Sequence, residues 1–160
     1  MLHFCVKTPV LATRIPDPTQ PEVEGFLRRL HTFMGKDRPN IIIEARPENR
    51  QGLFDLRLDK NPAERIDYIT KLKPFHACQQ LKSDSEQEAA HGRYLWVFGM
   101  LVGKAGKKQR PAYVKIQLGH TVADPVCISF HAAQFPLRFL FPSDHSEAFQ
   151  IAYDEQSSHR

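Results

Sequence analysis

Between Arg93 and Phe141 the chain carries three successive runs rich in Val, Ile, Phe, Tyr and Trp, and no other stretch restricts the fold as much. They read GRYLWVFGMLVG, PAYVKIQLG and PVCISFHAAQFPLRFLFP, with Gly and Pro as punctuation and a basic spacer, KAGKKQR, between the first two. Branched and aromatic side chains fit a pleated, half-buried surface, so these runs predict consecutive strands of an antiparallel meander. In the second run Tyr113, Lys115 and Gln117 alternate with Val114, Ile116 and Leu118. In the third, Cys127, Ser129 and His131 alternate with Val126, Ile128 and Phe130. Successive strand residues point to opposite faces. Two neighbouring strands are therefore expected to offer polar rows that open on one cleft.

The rest of the chain supplies helices. Val23, Phe26, Leu27, Leu30 and Phe33 or Met34 recur at helical spacing between Pro21 and Met34, with Glu22 and Glu24 early and Arg28 and Arg29 later, an order that suits the helix dipole. Gly35 ends that helix. IIIEARP reads as a short strand closed by Arg46 and Pro47. NRQGLFDLRLDK then reads as a short helix anchored by Leu53, Leu56 and Leu58. Asn61 followed by Pro62 is a cap and a preset first residue, so a third helix is expected from there to about Lys73, before Pro74. The polar, aperiodic stretch from Lys73 to Gly92 is expected to connect helices to sheet, with SDSEQEAA as its least ordered part. The expected class is α+β: N-terminal helices packed on a small twisted antiparallel β-sheet. Residues 1–18 are read as an N-terminal extension, an edge strand or an arm, 19–142 as the domain proper, and 143–160 as a tail. In that tail Phe149, Ile151 and Tyr153 form a strand or short helix, and the end frays.

Composition narrows the function classes. A net charge of +4 points weakly to a polyanionic partner, and Lys104, Lys107, Lys108 and Arg110 gather in the spacer between the first two central strands. That cluster is either a solvated hairpin tip or a phosphate-contacting loop. No run is long and apolar enough to cross a membrane, and MLHFCVKTPVLATRIP lacks the apolar core of a signal peptide, so a cytoplasmic protein is expected. The three cysteines are far apart and show no CxxC spacing, and the eight histidines are scattered. No disulfide framework, metal site or cofactor is expected. Walker, HExxH and GxSxG signatures are absent.

What remains is a metal-free set. Cleavage of RNA without a metal needs a base for the 2′-hydroxyl proton, an acid for the 5′-oxygen and cations for charge on phosphorus. His131, Tyr113, Lys115 and Arg138 are of the right types and are the catalytic candidates. Lys104, Lys107, Lys108, Arg110, Ser129, Trp96 and His76 are candidate RNA contacts. Trp96 is either core or a platform for a splayed base, and His76 either packs in the loop after the third helix or meets RNA.

The set WVFG, AYVKIQL and PVCISFHAAQFPLRFLFP resembles bacterial type II toxin–antitoxin toxins related to the MqsR (motility quorum-sensing regulator) family, within the wider RelE-like group of small mRNA endonucleases. Those toxins have a W-x-F-G-K strand, a YIKLK-type strand and a CISFH-A-E-x-P strand in this order. The resemblance spans about Thr19 to Pro142 and is closest in the last third. It implies a RelE/MqsR-like fold and an RNase, ribosome-independent or ribosome-assisted, that leaves cyclic-phosphate ends and is held inactive by a cognate antitoxin. Tyr113 matches the family's strand tyrosine and Lys115 its nearby lysine, while His131 falls where a shorter toxin has a lysine. Met100 and Ala77 stand where the family has lysines, and Val97 where it has a glutamine. A catalytically inactive RNA- or protein-binding module on the same scaffold is the alternative.

Overall fold

A computed structural model of the chain describes residues 16–82, 94–104, 106–118 and 125–158. The SDSEQEAA segment, most of the N-terminal extension and the last two residues lie outside that set. In chain order the elements are α1 (Gln20–Met34), β1 (Ile42–Ile43), α2 (Pro47–Asp55), α3 (Pro62–Thr70), a 3₁₀ turn (Pro74–His76), β2 (Ala77–Lys82), β3 (Tyr94–Val102), β4 (Arg110–Gln117), β5 (Val126–Ala132) and α4 (Asp144–Ser158). The architecture is α+β, with helices followed by a five-stranded sheet in the order β1-β5-β4-β3-β2.

Local chemistry explains the helix starts. Thr19 and Glu22 form a reciprocal capping box at α1, satisfying backbone donors that the first turn leaves without partners. Asn61 accepts from the Glu64 N–H at the start of α3, with Pro62 as first residue. Apolar stripes of α1 and α3 then face one side of the sheet. Val23, Phe26, Leu30, Ile69 and Leu72 are buried there with Trp96, Phe98, Val114, Ile116 and Phe130.

Several expectations are corrected. The sheet is mixed rather than wholly antiparallel, because β1 runs parallel to β5 while the other neighbours are antiparallel. The supposed connector contains β2, paired along β3 with an irregularity at Cys78. Its polar sequence, ACQQLK, carries no clear alternation, and the strand exists through its pairing with an apolar neighbour. The tail is a 15-residue helix, neither a strand nor a short helix. It packs on the second face of the sheet, where Phe149 is buried with Cys78, Val97, Tyr113, Ala133 and Leu137. Gly99 permits that packing, since a Cβ there would lie 2.9 Å from Leu137 and 2.8 Å from Phe139.

Docking of α2 onto β5 is the tightest joint. Beyond Glu44, whose N–H donates to the Cys127 carbonyl at 3.0 Å, the chain turns away, and the outer edge of β5 would lose its partners. Buried Asn49 replaces them: its Nδ2 donates to the carbonyls of Glu44 and Ile128, both at 2.9 Å, and its Oδ1 accepts from the Phe130 N–H at 3.0 Å. One turn on, Gly52 lies so close that a Cβ would sit 2.5 Å from the His131 Cα and 3.2 Å from the Phe130 carbonyl oxygen. Neither neighbour is a flexible side-chain end, so the contact admits only glycine. Asn49→Ala strands buried backbone groups and is expected to cost about 2–4 kcal/mol. Gly52→Ala is expected to destabilise at least as much, since overpacking here must move a strand. Urea unfolding of the two variants checks both values, and a loss below about 1 kcal/mol in either would contradict this account of the joint.

Candidate active site on the second sheet face

Sheet pairing sets which side chains meet. Tyr113 lies opposite His131 and Lys115 opposite Ser129 on the antiparallel pair β4–β5, so these four share one patch of the second face. Cys127 does not join them. The register shifts between Lys115 and Ile116, Ile128 becomes an extra residue, and Cys127 pairs with Ile116 on the helix-side face, where it is fully buried. The expected polar row of β5 is therefore Ser129 and His131 only.

Within the patch the rings of Tyr113 and His131 stack, with centroids 5.2 Å apart and planes at 13°. Phe135 meets the Tyr113 ring edge-on from the segment after β5. The His131 Nδ1–H donates to the Ala132 carbonyl at 2.9 Å. A carbonyl can only accept, so this bond assigns a proton to Nδ1, and in the neutral ring Nε2 is then the acceptor, the form a general base requires. His131 and Lys115 are half-buried, while Tyr113 and Ser129 are buried. Burial, with a smaller contribution from Cys78, pushes the Tyr113 phenol up to about 12. The phenol remains protonated near neutral pH and can donate a hydrogen bond but not act as a base.

Other candidates lie elsewhere. Arg138 Nη2 donates to both carboxylate oxygens of Asp17 at 2.9 Å, so its charge is already engaged by the residues leading into α1. Trp96 stacks on Phe26 in the helix-side core, centroids 4.3 Å apart, and is no open platform. His76 is wedged against Phe75 and His145, with ring centroids at 4.3 and 4.5 Å. Its Nδ1 accepts from the Lys73 N–H at 2.9 Å. Burial first, then the neighbouring His145, lowers its pKa to about 4, so it offers no cation at neutral pH. Lys104, Lys107 and Lys108, in the turn between β3 and β4, and Arg110, the first residue of β4, line a cleft of about 470 Å³ on the helix side with Leu56, Arg57 and Glu64. The predicted site is thus divided between two sides of the sheet. Met100 and Ala77 are buried in the helix-side core and supply no cation either.

Sequence reasoning missed Asn49, Arg57 and His145. Asn49 sits in the first turn of α2 with no motif around it. Arg57 follows α2 where glycine is usual, and that missing glycine was the only available signal. His145 donates from Nε2 to the Gly99 carbonyl at 3.0 Å, fixing α4 to β3.

Among the described residues no group of His, Cys, Asp and Glu could hold a metal ion, and no helix is long and apolar enough to cross a membrane. Cys78 is buried and its thiol is pushed up to about 12, which makes it a poor nucleophile. No family model, curated protein or solved structure matches this chain.

The His76 environment yields a pH prediction. Its folded pKa of about 4 lies below the unfolded value of 6.5, so below pH 6.5 the unfolded chain takes a proton that the folded chain refuses. Stability is complete above that value and falls as pH drops toward about 4, by up to about 3 kcal/mol from this group. Urea midpoints at the two ends of this window should differ, and by less in His76→Gln. An equal difference in both proteins would exclude His76 as the source.

Proposed function

We propose that the chain is a metal-independent endoribonuclease, with His131 as general base or acid, Lys115 as the phosphate-facing cation and Tyr113 as a protonated positioning donor. The observation that carries this reading is the opposed Tyr113–His131 and Lys115–Ser129 pairs, with the His131 tautomer fixed by the Ala132 carbonyl. The 2′-hydroxyl proton passes to His131 Nε2 as its oxygen attacks phosphorus, and the bond to the 5′-oxygen breaks. Lys115 offsets charge on the non-bridging oxygens, and a solvent water gives a proton to the leaving 5′-oxygen. The products are a 2′,3′-cyclic phosphate and a 5′-hydroxyl. Tyr113 acts through its stack on His131, which limits ring rotation.

On this reading, and by the resemblance of the three strand motifs, the protein is a cytoplasmic toxin. It cleaves mRNA, free or on the ribosome, inhibits translation and growth, and is neutralised by a cognate antitoxin. Arg138 is not given a catalytic role, because Asp17 occupies its fork. That engagement, and the apolar residues at positions 77 and 100, favour the second reading, an inactive binding module.

Purified wild type, Lys115→Ala and His131→Ala, matched for thermal stability, would be incubated with a defined RNA in EDTA. Wild type should cleave, and His131→Ala should lose about 10²–10⁴-fold in rate. Tyr113→Phe, which keeps the stack, should lose less than Tyr113→Ala. Cleavage abolished by EDTA, or unchanged in His131→Ala, would overturn the mechanism. Binding without cleavage, in buffer and in translating extract, would select the inactive module.

A further inference from the structure

Helix α2 ends in an unusual way. The Leu58 N–H donates to the Leu53 carbonyl at 2.7 Å and the Arg57 N–H to the Phe54 carbonyl at 3.0 Å, the bonding of a Schellman turn. The residue that must adopt the left-handed conformation is Arg57, with φ 59°, the only non-glycine residue with positive φ among those described. A side chain there costs about 1 kcal/mol or more relative to glycine. The strained turn therefore holds a cation at a fixed place.

That place is shared by two clefts. One, about 470 Å³, has Arg57 with Lys104, Lys107, Lys108 and Arg110. The other, about 590 Å³, has Arg57 and Arg110 with Lys60 and Phe54. Among the described residues Lys104, Lys107 and Lys108 form no ion pair. Phe54 is 63% exposed, an uncovered aromatic face beside cations.

We infer that the two clefts form one track for single-stranded RNA, in which the cations neutralise successive phosphates and Phe54 stacks a base. The ligand class rests on the nuclease reading above. Aromatic faces interleaved with cations bind single strands without regard to sequence, since every base has a π-face. An acidic protein would be met better by a broad patch with an apolar centre than by two concave clefts. Glu64, Asp55 and Asp59 also line the clefts, and carboxylates accept from base amino groups, which polyglutamate lacks. Arg110 lies three residues before Tyr113 on β4, about 10 Å along the strand, so a single strand can pass over the end of the sheet from track to patch.

The test is anisotropy of the full chain with a labelled 2′-O-methyl oligoribonucleotide of about 12 residues, which cannot be cleaved by 2′-hydroxyl attack. Phe54→Ala should weaken binding roughly tenfold with the salt dependence unchanged. Arg57→Gly should weaken it several-fold and reduce the log–log salt slope by about 0.7, while thermal stability stays equal or rises. A merely structural Arg57 would change stability and not the salt slope. Wild-type affinity in both variants would overturn the inference. So would competition by polyglutamate as strong as by unlabelled oligonucleotide together with no effect of Phe54→Ala, which would assign the clefts to an acidic protein. The two readings fail separately. Phe54-dependent binding without any cleavage would remove the nuclease and leave the track, whereas His131-dependent cleavage with unchanged binding in both variants would do the reverse.

Discussion

The carboxamide of Asn49 completes the hydrogen bonding of strand β5 where the backbone of β1 stops, and the positions of the candidate catalytic groups follow from that contact. A two-residue parallel strand cannot hold an edge by itself. The side chain extends the ladder by one donor and one acceptor site on β5 and ties both to Glu44. Because Gly52 brings α2 against the backbone at His131, the strand is clamped at the residue whose ring stacks on Tyr113. Buried groups that lose such partners cannot turn to water, so the joint is stiff where the proposed chemistry needs fixed geometry.

The same clamp explains where the sequence misled. Strict alternation along β5 put Cys127, Ser129 and His131 on one face. The extra residue at Ile128, whose carbonyl Asn49 takes, turns Cys127 into the core and leaves Ser129 and His131 in place. Bulges depend on partners elsewhere in the chain, so no local pattern announces them. The central strands, the apolar stripe of α1, the capped start of α3 and the shared Tyr113 and Lys115 row of β4 were legible, because periodicity and capping are local. Strand β2 was not, because ACQQLK becomes a strand only through β3. The tail was ambiguous for a related reason, since Phe149 is anchored by the far face of the sheet.

Charge is distributed to match this division. On the second face Tyr113 and Cys78 are held protonated by burial, which leaves His131 and Lys115 as the half-buried polar groups of the patch. On the helix side, the cations of the β3–β4 turn gather around Arg57 without entering the core. Separating a low-dielectric patch that orients reacting groups from a wet basic cleft that collects an anion is a physically consistent arrangement for a nuclease.

The most direct measurement uses an oligodeoxynucleotide with a single ribose, incubated with the purified protein in EDTA and resolved by mass. Cleavage only after that ribose, leaving a 2′,3′-cyclic phosphate and a 5′-hydroxyl, is the predicted result, since no other position can supply the attacking oxygen. Cutting at deoxyribose positions, or a 5′-phosphate product, would show that attack comes from water and would contradict the chemistry assigned to His131.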